Sequence, residues 1–253
     1  MLNEDALRRA LEAAGLSAPV RWDDVTGSTN ATALAMAEEG TPEWTLVAAG
    51  HQTAGRGRQG RAWVDGPGDA LMCSLVLRPS LTPDRAGLVS LAAGAAMAEA
   101  ASEASGEEVR CKWPNDLMLG ESKVGGILGE AKIVDGRIGY IVLGVGVNLD
   151  RPEDVLGAGA IGRVDEQALV TAFVQRLQRL LEGSPDDILH RWRAVSHTLG
   201  RRVEATTVGG DTARGVAADL DDTGALFIDA EKPGEGRVRV AFGEIQHLGV
   251  DQR

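Results

Sequence analysis

The sequence predicts an α/β fold, with a small β-barrel appended from near residue 200. Three observations carry this reading. Strand-like runs at Val124–Ile133 and Arg137–Val147 flank Asp135-Gly136, a dipeptide suited to a tight two-residue hairpin, so the two runs should pair antiparallel. Leu169, Phe173, Leu177 and Leu180 recur at helical spacing within Glu166–Leu181. Past Gly200 the pattern changes to short strands at Val203–Val208, Ala213–Leu220, Ala225–Asp229 and Val238–Ala241. They are separated by the turn signals Gly209-Gly210, Asp222-Thr223-Gly224 and Pro233–Gly236.

The remaining elements follow in chain order. Leu2–Gly15 reads as an amphipathic helix, with Asn3 as its cap, Leu7 and Leu11 on one face and Gly15 as the stop. A short strand, Arg21–Val25, precedes Ser28-Thr29-Asn30, which should cap a helix over Ala31–Glu39. Thr45–Ala49 and Ala70–Leu77 are strands, Asp84–Ser102 is a long Ala-rich helix, and Val109–Trp113 is a strand stopped by Pro114. Asp186–Leu199 is a second amphipathic helix after Glu166–Leu181. Between two of the strands lies Gly50–Asp69, rich in Gly and Arg and without apolar period. A loop that long in a compact domain usually binds something.

A chain of 253 residues can bury a full core without cross-links. Its two cysteines, Cys73 and Cys111, sit in apolar or strand-like runs with no paired spacing, which suits a reducing, cytoplasmic setting and inert core thiols. The amino terminus lacks the layout of a secretory signal. The one long apolar segment, Ala86–Ala101, is built from Ala and Gly with Glu99 inside, so no membrane span is expected. The net charge of −11, from 37 acidic and 26 basic residues, repels polyanions and disfavours DNA binding. Against that field, Arg56, Arg58 and Arg61 crowd into one short stretch.

That stretch, Gly55-Arg56-Gly57-Arg58-Gln59-Gly60-Arg61, alternates backbone without Cβ with planar permanent cations. Glycines let backbone N–H groups approach an anion, and guanidinium forks match phosphate and carboxylate oxygens two at a time. Gly55, Gly57 and Gly60 also fit a G-x-G-x-x-G pattern, yet a dinucleotide fingerprint should open a helix, and here Trp63, a Gly-Pro-Gly turn and another strand follow. The H-R-D and D-F-G segments of a kinase and the G-K-[ST] of a phosphate-binding P-loop do not occur.

Two further groupings matter. Lys112-Trp113-Pro114-Asn115-Asp116 sets an amide and a carboxylate at the end of a strand. Lys123 stands just before Val124-Gly125-Gly126-Ile127-Leu128, and Gly144-Val145-Gly146-Val147-Asn148 repeats the glycine device on the next strand. Taken in order with Gly27-Ser28-Thr29-Asn30 and Gln52–Arg61, these motifs closely resemble those of biotin-protein ligases. The resemblance is strong over about residues 20–150 and general over the carboxyl-terminal barrel.

The resemblance implies a catalytic domain (1–199) on a mixed, largely antiparallel sheet with flanking helices, followed by an SH3-like barrel (200–253). Only 27 residues precede Ser28, leaving no room for the DNA-binding domain that some members carry, so the chain resembles the ligase-only class. The implied activity is ATP-dependent formation of biotinyl-5'-AMP, then transfer to a lysine of a biotin carboxyl carrier domain of an acyl-CoA or pyruvate carboxylase. Mg²⁺ would accompany ATP. The implied biotin site comprises Ser28, Thr29, Gln52, Gly55, Arg56, Arg58, Lys123, Gly125, Gly126, Gly144 and Gly146. Arg58, Arg61, Trp63, Asn115, Lys123 and Asn148 would meet the nucleotide, with Trp63 stacked on adenine. Lys123, Arg58 and Asp116 are the catalytic candidates, Asp116 orienting the acceptor amine or taking its proton.

The competing readings are a lipoate ligase or octanoyl transferase, which lacks the G-R-G-R-x-G-R loop, and a biotin sensor without catalysis. For the sensor, the acidic surface and the missing DNA-binding domain argue the other way. His51, His190, His197 and His247 show no ligand spacing, so the sequence suggests no protein-held metal.

Overall fold

Asn3 starts the first helix, α1 (Glu4–Ala13), where its side-chain oxygen accepts a hydrogen bond from Ala6 N at 2.9 Å. The computed structural model describes residues 2–248 apart from 154, 208, 209, 233, 235 and 242. Leu7 and Leu11 are buried on one face of α1, and Gly15 turns the chain away at φ +75°.

Seven strands make the main sheet: β1 (Val20–Asp23), β2 (Leu46–Ala49), β3 (Ala70–Leu77), β4 (Val109–Lys112), β5 (Asp116–Leu119), β6 (Ser122–Val134) and β7 (Arg137–Asn148). Their order is β1-β2-β3-β7-β6-β5-β4. The β1–β2 pairing is parallel and every other pairing is antiparallel, giving the mixed, largely antiparallel sheet expected. Asp135 and Gly136 both take positive φ, 49° and 73°, at the β6–β7 turn, which is why that dipeptide announces the hairpin.

Both faces of this sheet are covered. On one face Leu71, Cys73, Leu75 and Leu77 of β3 enter the large core with α1, α3 (Gly87–Ser105), α4 (Glu166–Glu182) and α5 (Pro185–Ala194). On the other face Val76 joins a smaller cluster with Ala33 and Ala37 of α2 (Thr29–Glu38). Two-sided burial explains why β3 reads as an apolar run instead of alternating. The small residues of α3 let it lie close to the sheet, where a Cβ on Gly94 would sit 3.4 Å from Cys111 Sγ. Among the described residues no helix is long and apolar enough to cross a membrane.

The carboxyl-terminal strands β8 (Arg202–Thr207), β9 (Thr212–Leu220), β10 (Leu226–Ala230), β11 (Arg237–Val240) and β12 (Gly243–His247) form an antiparallel sheet ordered β11-β10-β9-β8-β12. Val203, Ala205, Ala217, Leu226, Ile228 and Ile245 point into the same core cluster as the main sheet. The indole of Trp113, at the end of β4, donates to Gly224 O in the β9–β10 turn at 3.0 Å.

Several boundaries differ from expectation. Helix α2 begins at Thr29 and α5 ends at Ala194, while the start of the expected Asp84–Ser102 helix is a separate 3-10 turn at Pro83–Arg85. Strands β5 and β12 were not anticipated. Each is too short to show a period, and β12 carries polar residues at an edge, where pairing and not burial defines it. Val208, Gly209 and Pro233, assigned to a strand and to turns from the sequence, lie outside the described residues.

Candidate functional site

The Gly-Arg segment after β2 folds back on itself as a closed finger. Its two arms are tied by Trp63 N to Gly55 O (3.0 Å) and Gly57 N to Arg61 O (2.8 Å), and its base by Gly68 N to Gly50 O (3.0 Å). Near the base, the Asp65 side chain is fully buried, with its Oδ2 2.8 Å from His51 Nδ1. Glycine is required at Gly55, where a Cβ would lie 2.6 Å from Trp63 O. Thus a segment without apolar period holds its shape through backbone pairing.

The finger faces the amino end of α2. Ser28 is the N-cap by position, yet its side chain makes no cap hydrogen bond, which corrects the capping expected of it. Gln52 does that work from the next segment: its Oε1 accepts from Thr29 N (2.8 Å) and Thr29 Oγ1 (3.2 Å). Thr29 and Gln52 therefore hold each other. Beside them, buried Ser74 Oγ lies 2.6 Å from Asn30 Oδ1 and 2.8 Å from Thr29 Oγ1. Asn30 Nδ2 donates to Glu130 Oε2 at 2.8 Å, and the other oxygen of Glu130 accepts from Arg56 Nη2 at 2.7 Å. Ser74 and Glu130 had no assigned role from sequence, and Asn30 had none beyond the helix cap and the motif it shares with Ser28 and Thr29. The one legible sign was Glu130, a lone carboxylate after the run Val124–Gly129, which carries no polar side chain.

On the opposite wall, Arg58 Nη1 donates to Asn115 Oδ1 (3.1 Å) and Nη2 to Gly243 O of β12 (3.2 Å). Asn115 is itself fixed by a backbone and side-chain pair with Ile127, at 2.8 and 2.9 Å. Lys123 Nζ stands 2.6 Å from Asp116 Oδ1. Between these walls lies a cavity of about 210 Å³. Ser28, Thr29, Gln52, Arg56, Arg58, Arg61, Trp63, Asn115, Asp116, Lys123, Gly126, Gly144 and Gly146 all line it, so most of the residues singled out by motif converge.

Three do not line it. Gly55 closes the finger. Gly125 faces the opposite side of β6, where a Cβ would lie 3.0 Å from Leu117. Asn148 is buried and donates to Gly159 O at 2.9 Å, holding the segment that follows β7. The glycines that do line the cavity have specific neighbours. Gly144 makes room for Asn30, whose Oδ1 would be 2.1 Å from an added Cβ. Gly146 makes room for the Trp63 ring, 2.7 Å from one. Because the indole rests on Gly146, the cavity is smaller than the roughly 300–1,000 Å³ usual for ligand pockets.

Electrostatically the cavity inverts the molecule. Among the described residues Arg56, Arg58, Arg61, Lys112 and Lys123 bring five positive side chains to its lining, against the one carboxylate of Asp116, in a chain of net charge −11. Such a lining suits polyanionic ligands. Neither cysteine is a nucleophile: burial pushes the Cys73 thiol up to about 12, and burial and Glu99 push Cys111 up as well.

Comparison with known proteins accords with this layout. A family model described as "Biotin/lipoate A/B protein ligase family" matches residues 22–148, and one described as "Biotin protein ligase C terminal domain" matches 198–248. The chain is 34% identical to the biotin--[acetyl-CoA-carboxylase] ligase of Mycobacterium tuberculosis, over 98% of this chain and 96% of that protein.

The chain belongs to the biotin protein ligase family.

Other family members extend the likeness. The bifunctional ligase/repressor BirA of Bacillus subtilis is 30% identical, over 97% of this chain and 79% of that protein. The Aquifex aeolicus biotin protein ligase in complex with biotin and ATP superposes with a TM-score of 0.73 at 22% identity, covering 91% of this chain and 99% of that one. At that identity the match speaks to the fold alone.

Proposed function

We propose that this ligase-family chain activates biotin with ATP as biotinyl-5'-AMP and passes the biotinyl group to a lysine of a biotin carboxyl carrier domain. The observation that carries the reading is the cavity itself, where five cations converge in an acidic molecule. Bringing a carboxylate to the α-phosphate of ATP joins two anions, so fixed cations at their meeting point lower the barrier.

In the first step an oxygen of the biotin carboxylate attacks the α-phosphorus and pyrophosphate leaves. Arg56, Arg58, Arg61 and Lys123 neutralise the charge that gathers there. Mg²⁺ accompanying ATP would supply further positive charge at the phosphates, and the Asp116 carboxylate is the hard oxygen donor at the lining that would suit it. In the second step the acceptor amine attacks the carbonyl carbon, AMP leaves and the amine proton passes to Asp116. The polar ends of Ser28, Thr29 and Gln52 suit the ureido ring, and Trp63 turns from its shelf on Gly146 to stack on adenine. The finger, closing over the intermediate, excludes water from a hydrolysable anhydride.

The catalytic part is assigned to residues 1–199 and the appended barrel to 200–253, acting in the cytoplasm where ATP and the carrier occur. The test is direct: incubate the protein with biotin, Mg-ATP and a biotin carboxyl carrier domain, and read the mass. A biotinyl gain on one lysine is expected. Labelling by lipoate in place of biotin, or no labelling, would overturn the proposal.

A further inference from the structure

Outside the cavity, the fold gathers residues that the sequence keeps far apart. Glu121 lies in the β5–β6 turn, His197 follows α5, and His247 ends β12. One donor atom from each lies within 4.8 Å of the others. The two imidazoles stand with centroids 5.1 Å apart at 44°, and His197 Nε2 is 3.7 Å from Glu121 Oε2. We propose that Glu121, His197 and His247 form a binding site for a late first-row divalent cation of the Zn²⁺ type.

The donor set decides the class of ion. Two imidazole nitrogens and one carboxylate oxygen suit Zn²⁺ and its neighbours, whereas Mg²⁺ takes oxygen ligands and keeps its waters. His247 Nε2 is buried with no hydrogen-bond partner among the described residues, a polar atom that the surrounding protein leaves unanswered.

One group competes for the position. Arg201 Nη1 lies 2.5 Å from His197 Nε2 and 3.0 Å from Glu121 Oε1, and Lys112 adds a second positive charge nearby. A bound cation must displace the guanidinium, whose side chain is 35% exposed and has solvent to turn into. This competition weakens binding and makes a prediction that ordinary surface binding does not: removing Arg201 strengthens it.

The location gives the site a consequence. Glu121 is two residues from Lys123, His197 N donates to Cys111 O of β4 at 2.7 Å, and β12 carries Ile245 at the cavity lining. A cation here would clamp the carboxyl-terminal sheet to the edge of the main sheet that bears the catalytic candidates.

The experiment uses the full chain, stripped with chelator and dialysed, titrated calorimetrically with ZnCl₂ and separately with MgCl₂. One zinc per chain is expected, bound at least ten-fold more tightly than by the His197→Gln/His247→Gln double variant, with no matching Mg²⁺ isotherm. Arg201→Ala should tighten zinc binding several-fold, and it retains both histidines should the double variant fail to fold. Equal zinc affinity in wild type and double variant, or weaker binding by Arg201→Ala, overturns the proposal.

Discussion

Asp116 Oδ1 and Lys123 Nζ form an ion pair at 2.6 Å at the cavity wall, joining the start of β5 to the start of β6. The carboxylate is thus placed to steer the ammonium, and in the proposed transfer step it takes the proton of the incoming amine. Asp116→Asn is expected to leave adenylate formation within a few-fold of wild type while transfer to the carrier falls by about 10²-fold, a usual scale for a lost general base. Single-turnover transfer from preformed biotinyl-5'-AMP checks this, and a normal transfer rate would remove Asp116 from the mechanism.

Lys123→Ala and Arg58→Ala each remove a positive group from the cavity lining, where the proposed mechanism brings the two substrates together. Pyrophosphate release should drop by about 10²-fold or more in either variant. Wild-type release from either one would refute its assignment.

Glu130 touches no expected ligand position but holds Arg56 and Asn30 at once. Glu130→Gln keeps an acceptor for Arg56 and loses the charge. Because the Arg56 side chain is 46% exposed, the loss is discounted to about 1 kcal/mol, or roughly five-fold. The effect should appear as a higher KM for biotin with little change in kcat, and equal loss in both would point to a catalytic part instead.

Gly144→Ala separates two opposed effects. In an open strand the change to alanine is neutral or mildly stabilising, but here the new methyl group meets Asn30 Oδ1 and must expel that side chain from Ser74 and Glu130. A loss of about 1–3 kcal/mol is expected, read as a lower Tm and weaker biotin binding. An unchanged Tm would show that Asn30 yields without cost.

Asp221 lies in the β9–β10 turn that receives the Trp113 indole. Burial works against its charge, yet hydrogen bonds from Thr223, Arg239 and Ala225 N outweigh it and hold the carboxyl below its ordinary 3.8. A depressed folded value means stability that is full above the ordinary value and lost as pH falls through the folded one. The Tm gap between wild type and Asp221→Asn should therefore be widest near neutrality and narrow below about pH 4. A gap that stays constant down to strong acid would show that the ionised form contributes nothing.

Local chemistry made much of this molecule legible in its sequence. Asp135-Gly136 announces its hairpin because few residues accept positive φ, and the α4 stripe of Leu169, Phe173 and Leu177 announces its buried face. The Gly-Arg finger and the two glycine pairs stand out for the same reason: their composition departs from what packing alone requires. What stayed hidden is relational. Gln52 caps a helix that starts far behind it in sequence, Glu130 links a strand to a loop, and His197 meets His247 only once β12 pairs with β8. No spacing rule encodes contacts that depend on the completed fold. Gly125 shows the converse error, since a glycine in the right motif turned its empty side toward Leu117 and not toward the cavity.

Two bonds described above leave the cavity walls and end on main-chain oxygens of the small sheet: Trp113 on Gly224, and Arg58 on Gly243. Main-chain acceptors are indifferent to side-chain identity but not to where the backbone runs. Grafting this sheet from a distant relative should thus tolerate replacement of its exposed residues, provided the side chains that enter the shared core are kept and the turn before β10 and the entry to β12 keep their length. A single inserted residue at either place would shift the carbonyl out of reach, and would do more harm than a substitution at an exposed position of the sheet.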